Sequence, residues 1–331
     1  MPETHIENPT RSGAKERDRA GTGAAATQSR ARRRRSGSFW RSSRWHDIRW
    51  GYGLALPAIA LTAVFVVYPL ARSIYLTFFE YEFIMNRQKF VGVQNYIDWA
   101  QDPQMWHSAW IALKYFLLYV PPSMFLALII ALAIDRLARK HFQNIYRAIF
   151  YFPVVLPAAI VFQMWMWIYD PMVGVITQTL RELGSSLNVD WLGNPDTALA
   201  AIAVMSIWRV LGETVIFFLV GLSTVPKELL ESARVDGSKE LGVILRIQLP
   251  LLVPMMVLVL VLRLRVLEAS TEMLYMTQGG PIDATMTYGL QAYMLFSRED
   301  QIGYANTWFI MLALFSLAVA WAVSRLRRLS S

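Results

Sequence analysis

The sequence predicts an all-α membrane protein in which six helical spans form one bundle. Hydrophobic residues make up 55% of the 331 residues and charged residues only 17%, whereas soluble domains carry roughly 25% charged residues. The apolar residues collect in blocks of about 20 to 28 residues, which are long enough to cross a bilayer core of about 30 Å. Tryptophan and tyrosine stand at many block ends, as is typical of the membrane–water interface.

The first 51 residues differ from the rest of the chain in composition. They carry 12 Lys and Arg against five acidic residues, are rich in Ser, Gly, Ala and Thr, and show no apolar period. Such a composition predicts a disordered, basic tail over residues 1–51. We interpret the Arg32–Arg35 run as a topology signal that holds the tail in the cytoplasm and contacts anionic membrane lipid. We expect no nucleic-acid partner.

Six apolar blocks follow the tail and define a transmembrane domain over residues 52–326. Proline interrupts the second block at Pro121–Pro122 and the third at Pro153 and Pro157. Proline inside a membrane helix is tolerated where neighbouring helices pair with the freed carbonyl groups, so these positions favour a packed bundle. The predicted spans are 52–80, 108–134, 148–170, 198–224, 250–276 and 304–324.

The distribution of Lys and Arg between the spans predicts the orientation. The tail, the loops 136–147 and 226–249 and the C-terminal end together carry 23 of these residues. The alternate loops 81–106, 171–197 and 278–303 carry four. Because basic loops stay on the cytoplasmic side, we expect a multi-pass inner-membrane protein with both termini and the 226–249 loop in the cytoplasm.

The sequence contains no motif for catalysis or for binding a metal or a nucleotide. It has no cysteine, no Gly-rich phosphate-binding loop and no zinc-binding His pair. The four histidines are scattered outside the span centres. We therefore expect no catalytic residue, no metal site and no cofactor on this chain. Transport against a gradient would need energy from a partner or from a coupled ion.

The loop 225–250 has the pattern of two helices joined by a sharp bend. Pro226 suits the first turn of a helix. Asp236–Gly237 is a turn signal, with the glycine placed to end the helix in a left-handed conformation. We expect Ser238 to cap the second helix, and Pro250 to end that helix or to start the next span. The result is a bent amphipathic element shaped to sit in a groove on a partner protein.

This loop resembles the EAA motif of permease subunits of bacterial ABC importers. The family pattern is Glu-Ala-Ala, three residues, Gly, nine residues, and Ile-x-Leu-Pro, and the chain departs from it only at Ser232. The resemblance implies that the loop contains the coupling helix, which seats in a cleft of a cytoplasmic ATPase. The residues that the resemblance assigns to ATPase coupling are Glu231, Ser232, Ala233, Asp236, Gly237, Ile247, Leu249 and Pro250.

Further segments are similar to the carbohydrate branch of that family, the maltose-type and glycerol-phosphate-type permeases. These segments are Trp208–Arg209, Gly212, 216–222, 275–281 and 303–305. The likeness covers about residues 50–330 and implies the type I importer permease fold. It also implies a heterodimer with a second permease and two ATPase subunits, which would bind ATP and Mg²⁺. An extracytoplasmic binding protein would contact the 81–106 and 278–303 loops.

Ionisable residues inside the predicted spans are the candidates for the solute path. An ionisable group at the bilayer centre costs about 2.5 kcal/mol or more, so each should face the bundle interior or a water-filled path. Two interpretations remain open: the groups pair and only fix helix packing, or some of them hydrogen-bond sugar hydroxyls beside stacking aromatic rings. The candidate residues are Arg209, Glu213, Arg265, Glu268, Glu272 and Tyr275. With Arg263, the charges balance at three Arg and three Glu, which suits a neutral polyhydroxylated solute.

The sequence favours a permease for a sugar or oligosaccharide and leaves other functions open. The same machinery could carry glycerol 3-phosphate or another polar metabolite, although a phosphate would want surplus positive charge. An ion-coupled secondary transporter would use Glu213, Glu268 and Glu272 as proton or sodium sites, but it offers no reason for the Glu231–Pro250 pattern. A membrane anchor with a basic tail would not need six spans with buried charges.

Overall fold

The computed structural model of the chain describes residues 52, 55–137, 139–184, 189–265 and 271–329. The predicted tail over residues 1–51 and the candidate path residue Glu268 lie outside this part of the chain. The described part is mainly helical and contains one short hairpin.

Five described helices are long and apolar enough to cross a membrane, and one bent helix pair adds a sixth crossing if it counts as one span. They are span 1 (Ala55–Leu76), span 2 (Pro103–Asp135), span 3 (Lys140–Val155 with Ala158–Ile168), span 4 (Ala198–Ser223), span 5 (Glu240–Arg263) and span 6 (Ile302–Ala322, within the helix Ile302–Leu329). The six predicted blocks correspond to these elements in order, with corrections at spans 3 and 5.

Span 3 is not the single helix that was expected over 148–170. It starts at Lys140, and its two helices are bent by 94° relative to each other. Leu156, between them, is extended with φ −71° and ψ 137°, because the residue before a proline avoids the α conformation and Pro157 follows. The polar residues in the first turns of span 3 hid its start from the hydropathy pattern.

Span 5 starts and ends earlier than the predicted 250–276. It is one helix over Glu240–Arg263 that passes through a wide π turn, Ile244–Gln248. The π turn ends two residues before Pro250, which has no N–H to donate, and the wider turn absorbs that lost bond without ending the helix. A separate helix, Thr271–Met276, takes up the end of the predicted block.

The three predicted loops that are poor in Lys and Arg, 81–106, 171–197 and 278–303, all carry secondary structure. The 81–106 segment overlaps an antiparallel hairpin in which Phe79 lies opposite Phe90 and Glu82 opposite Arg87. In the 278–303 segment, ten residues form a helix that is too short to cross a membrane, so hydropathy did not reveal it. The remaining elements are strands Phe79–Glu82 and Arg87–Phe90, helices Gln94–Gln101, Val175–Glu182, Lys227–Val235 and Tyr288–Ser297, and a π turn in span 1, Ala63–Val67.

Spans 2 and 4 pack along each other. Ala127, Ala131 and Ile134 of span 2 form one buried cluster with Phe218 and Leu222 of span 4. The small residues on span 2 allow the two helix backbones to approach closely. This packing places the end of span 2 next to the end of span 4, where the loop 225–250 begins.

Span 2 separates two groups of connecting segments. Its 33 residues make a helix about 50 Å long. Asp102, just before its start, accepts a hydrogen bond from the Tyr304 hydroxyl at 2.8 Å and lines the same cleft as hairpin residues. Arg136, just after its end, donates to Glu240 at 3.2 Å. The hairpin and the loop 225–250 therefore lie at opposite ends of span 2.

Candidate functional site: the coupling element and the paired charges of spans 4 and 5

The predicted coupling segment folds as a short helix, a turn and the start of span 5. The helix Lys227–Val235, called the coupling helix below, begins directly after Pro226. Glu228 lies in its first turn and Arg234 in its last turn, and both charges complement the helix dipole. The segment therefore has the bent form that its turn and helix signals predict.

A left-handed glycine ends the coupling helix. Gly237 has φ +81°, and its N–H bonds to the Arg234 carbonyl at 3.1 Å, while the Ser238 N–H bonds to the Ala233 carbonyl at 2.9 Å. These two bonds form a Schellman motif. A Cβ added at Gly237 would meet no atom within 4 Å, so the position requires glycine for its backbone conformation and not for space.

The start of span 5 corrects one expectation and refines another. The residue at the N-cap is Lys239, with no side-chain capping bond, so Ser238 does not cap this helix. Pro250 lies in the first turn of the α-helical part of span 5, Leu249–Arg263, as expected, but the helix continues into it from the π turn without a break. Ile247 and Leu249 are half-buried, so the end of the predicted motif packs against the bundle.

The coupling helix buries none of its residues. Val235, at its end, is 87% exposed, and Leu241, in the first turn of span 5, is 65% exposed. Among the predicted coupling residues of this region, Ala233 is half-buried. Four are exposed: Glu231, Ser232, Asp236 and Gly237. Exposed apolar side chains beside exposed charges form a surface of the kind that a partner protein covers.

Glu240 joins the coupling helix to the end of span 2. Its Oε1 accepts a hydrogen bond from Arg234 Nε at 2.9 Å, and its Oε2 accepts one from Arg136 Nη2 at 3.2 Å. The sequence analysis did not identify this cluster, because Arg136 stands 104 positions before Glu240 in the chain and no local pattern relates the two.

Two ion pairs connect span 4 to the fifth predicted block. Arg209 Nη2 donates to Glu272 Oε1 at 2.8 Å, and Arg263 Nη2 donates to Glu213 Oε2 at 2.7 Å. Arg263 also donates to the Thr214 hydroxyl at 2.9 Å. The structure thus brings three predicted path residues into pairs and adds Arg263, whose side chain is only 12% exposed.

The two pairs leave some polar groups without a protein partner. The Nε atoms of Arg209 and Arg263 are buried and make no hydrogen bond within the described residues. The side chain of Glu213 is 43% exposed, whereas that of Glu272 is 14% exposed. The pairing is what the packing interpretation expects, while the exposed parts of the Arg209 side chain, 29%, and of Glu213 are open to a polar solute.

Aromatic rings line the same region. The Phe162 ring lies 5.9 Å from the guanidinium carbon of Arg209 and 5.7 Å from the Tyr275 ring. Phe162 is buried, whereas Tyr275 is 56% exposed. An exposed aromatic face beside a few fixed polar groups is an arrangement that suits the binding of a small polar ligand.

Two predicted path residues take no part in these contacts. Arg265 is exposed just after span 5, and Glu268 lies outside the described residues. The predicted balance of three Arg and three Glu therefore stays a prediction, as does the argument from it for a neutral solute.

The segments at the other end of span 2 pack into one layer. Asp300 accepts hydrogen bonds from the N–H groups of Phe83 at 3.0 Å and Ile84 at 2.7 Å, so the 278–303 segment holds the tip of the hairpin. A cleft of about 620 Å³ opens beside this layer, and its acidic lining residues are Glu80, Glu82, Asp98 and Asp102. The sequence predicted both segments as partner contacts but not their packing on each other.

Comparison with known proteins places the chain among transport proteins. The family described as binding-protein-dependent transport system inner membrane component matches residues 123–330. A probable ABC transporter permease of Bacillus subtilis is 30% identical over 273 residues, which cover 81% of this chain and 87% of that protein. The sulfoquinovosyl glycerol transport system permease of Agrobacterium fabrum is 29% identical over 279 residues, covering 83% and 89%.

Two further comparisons cover nearly the whole of the matched proteins. The trehalose/maltose transport system permease of Thermococcus litoralis is 27% identical over 288 residues, covering 86% of this chain and 97% of that protein. A chain from the crystal structure of a bacterial ABC transporter that imports the acidic polysaccharide alginate matches with a TM-score of 0.75 and 24% identity, covering 87% and 99%. The structural match confirms the fold. Since the family match spans more than half of the sequence, the chain is a multi-pass permease of the binding-protein-dependent transport system inner membrane component family.

Proposed function

We propose that the chain is the membrane-spanning subunit of an ATP-driven importer that carries a sugar or oligosaccharide inward. The observation that carries the proposal is the coupling element, in which an exposed helix and a glycine turn lead into one continuous span. The substrates named for the relatives above, sulfoquinovosyl glycerol and trehalose or maltose, are sugars or glycosides, and these relatives support a sugar as the solute.

In this proposal the coupling helix sits in a cleft of a cytoplasmic ATPase, where Glu231 makes a charged contact. ATP and Mg²⁺ bind to that ATPase, and closure of two ATPase subunits displaces the coupling helix. Span 5 has 24 residues and is about 36 Å long. It carries the displacement as a rigid body from the turn at Gly237 to the ion pair of Arg263. The bundle then switches from inward-open to outward-open.

The assembly contains a second permease subunit, two ATPase subunits and an extracytoplasmic binding protein. This chain supplies no catalytic residue and binds no cofactor. Both termini and the coupling helix face the cytoplasm, which the excess of Lys and Arg in these segments supports. The hairpin and the 278–303 segment face the binding protein, and their packing into one layer supports a shared docking surface.

The solute passes along the face of span 4 that carries Arg209 and Glu213. The exposed parts of Arg209 and Glu213 hydrogen-bond to sugar hydroxyls, and the exposed Tyr275 ring stacks on the sugar. The same path includes three residues of the fifth block: Glu272, Arg265 and Glu268, the last of which lies outside the described residues.

An ion-coupled secondary transporter is the competing function. It requires Glu213 and Glu272 as proton or sodium sites. Each of these carboxylates pairs with an arginine, at 2.7 Å and 2.8 Å. Ion coupling would require these carboxylates to exchange their arginine partners for the coupled ion. The coupling element, for which ion coupling gives no reason, therefore favours the ATP-driven mechanism.

Reconstitution in proteoliposomes with the partner subunits separates these functions. We expect the binding protein to retain one member of a panel of trehalose, maltose, sulfoquinovosyl glycerol, an alginate oligosaccharide and glycerol 3-phosphate. Uptake of that solute should require ATP and the ATPase. Uptake driven by a proton or sodium gradient without the ATPase would contradict the proposal. If the binding protein retained only glycerol 3-phosphate, the solute would be glycerol 3-phosphate and not a sugar, but the ATP-driven mechanism would stand.

A further inference from the structure

We propose that Glu240 is a positioning residue that makes the coupling helix, the end of span 2 and the start of span 5 move as one unit. The inference rests on the proposed function, because coupling presupposes an ATPase that displaces the coupling helix. None of the contacts of Glu240 belongs to the EAA pattern, so the residue adds a component to the coupling element.

Both carboxylate oxygens of Glu240 are in use. Oε1 binds Arg234 in the last turn of the coupling helix at 2.9 Å. Oε2 binds Arg136, the residue that follows the last turn of span 2, at 3.2 Å. Glu240 itself is the first residue of the span 5 helix. One carboxylate therefore connects three helices.

The coupling helix has few other attachments to the bundle. Only Leu230 and Ala233 are even half-buried among its residues. Its connections are short on both sides, Thr224–Pro226 toward span 4 and residues 236–239 toward span 5. A helix held by two short connections can pivot about them unless a side chain fixes its angle. The Arg234–Glu240 pair supplies that constraint.

The Arg136 contact extends the unit to span 2. Ala131 and Ile134 pack span 2 against span 4 near this end. At the far end of the same helix, Asp102 lines the cleft beside the hairpin. A displacement of the coupling helix therefore reaches the opposite end of the bundle along span 2 as well as along span 5.

A simpler role for Glu240 predicts a different mutational pattern. A negative charge in the first turn of span 5 is favoured by the helix dipole alone. That role needs the charge of Glu240 but not Arg136. Removing the guanidinium of Arg136 therefore distinguishes the connecting role from the dipole role.

The experiment uses the chain's lack of cysteine. A Tyr275→Cys reporter is placed in the full complex in proteoliposomes, and its rate of labelling by a maleimide is measured with and without ATP, Mg²⁺ and vanadate. In this background, Glu240→Gln and Arg136→Gln should each reduce the ATP-driven change in labelling rate by about two- to fivefold, the range for lost exposed ion pairs. Asp135→Asn, which removes an exposed acid beside Arg136, is the matched control and should change nothing.

A second readout is the dependence on salt. Raising the ionic strength to about 1 M screens exposed charges, so it should reduce the ATP-driven change more in the reporter background than in Glu240→Gln, where the Glu231 contact is still screened but the Glu240 pairs are already lost. Copurification of the ATPase subunit checks that each variant assembles. Should Glu240→Gln fail to assemble, Arg136→Gln decides alone, since it leaves the Arg234 contact in place.

The outcomes separate the two levels of the argument. If Glu240→Gln and Arg136→Gln both behave like Asp135→Asn, Glu240 does not position the coupling helix. If only Glu240→Gln has an effect, the connection to span 2 is wrong. If the complex of the unsubstituted chain shows no solute-stimulated ATP hydrolysis, the proposed function itself fails, whatever the variants do. If only the Tyr275→Cys reporter is silent, Glu240→Gln and Arg136→Gln are compared with Asp135→Asn by solute-stimulated ATP hydrolysis in the unsubstituted background.

Discussion

Gly237 and Gly242 lie on the two sides of one bend but are constrained differently. Neither would meet another atom if a Cβ were added. Gly237 has φ +81°, whereas Gly242 lies in the first turn of span 5, where alanine is preferred over glycine. Comparing alanine at Gly237 with alanine at Gly242 therefore distinguishes the need for a left-handed backbone from a general effect of adding a methyl group to the coupling element.

We predict that Gly237→Ala weakens coupling while Gly242→Ala does not. The left-handed conformation costs a residue with a Cβ about 1–2 kcal/mol, so the Schellman turn should open and the coupling helix should lose its fixed angle. Solute-stimulated ATP hydrolysis should fall about fivefold or more. Equal activity of the two variants would show that the turn does not matter.

The charged residues show how far the sequence predicts individual contacts. The requirement that buried charges be paired identified Arg209, Glu213 and Glu272 from the sequence. Their partners were not predictable, because Arg209 and Glu213 lie on one helix face yet pair with residues 63 and 50 positions away. Arg263 was noted as a span charge but left out of the predicted path, and only the packing of spans 4 and 5 reveals its role.

At the scale of elements, Gly212 controls how closely spans 3 and 4 approach. A Cβ added at Gly212 would collide with the backbone carbonyl of Phe150. At Gly221, on the same span, the nearest atoms are the side chains of Leu252 and Met255, which can move aside. The two glycines of span 4 therefore differ in whether the obstacle is backbone or a flexible side chain.

We predict that Gly212→Ala destabilises the protein by about 1–3 kcal/mol, as is usual for overpacking against a rigid neighbour. Gly221→Ala should cost less, because a side chain can take another rotamer. Thermal unfolding of the purified protein in lipid nanodiscs measures both variants. A larger effect at Gly221 would mean that spans 3 and 4 do not pack through Gly212.

The elements differ in how well the sequence predicts them. Spans 1, 2, 4 and 6 follow from long apolar blocks, and the coupling helix follows from the signals at Pro226 and Gly237. These signals are local. The 94° bend of span 3 and the π turn before Pro250 were missed, because proline shows where a helix is disturbed but not how its neighbours resolve the disturbance. The packing of the hairpin tip on the 278–303 segment was missed because Asp300 is more than 200 positions away from the N–H groups that it binds.

At the scale of the whole molecule, span 2 provides the strongest argument on sidedness. One end contacts the layer that contains the hairpin, and the other contacts the coupling element through Arg136. A helix of 33 residues is longer than the hydrocarbon core of a bilayer, which needs about 20 residues. The argument does not depend on whether the bent span 3 crosses the membrane, since both contacts belong to the same helix.

We therefore predict that the hairpin tip and the coupling helix react with a membrane-impermeant maleimide from opposite sides. Ile84, which is 82% exposed, and Ser232, which is exposed on the coupling helix, are each replaced by cysteine in the chain, which has no cysteine of its own. Ile84→Cys should label in right-side-out vesicles and Ser232→Cys in inverted vesicles, with the unchanged chain as the blank. If both cysteines reacted from the same side, the coupling helix would not lie on the side of the membrane where the ATPase binds. The coupling helix could then not contact a cytoplasmic ATPase, because a segment on the outer surface has no access to the cytoplasm.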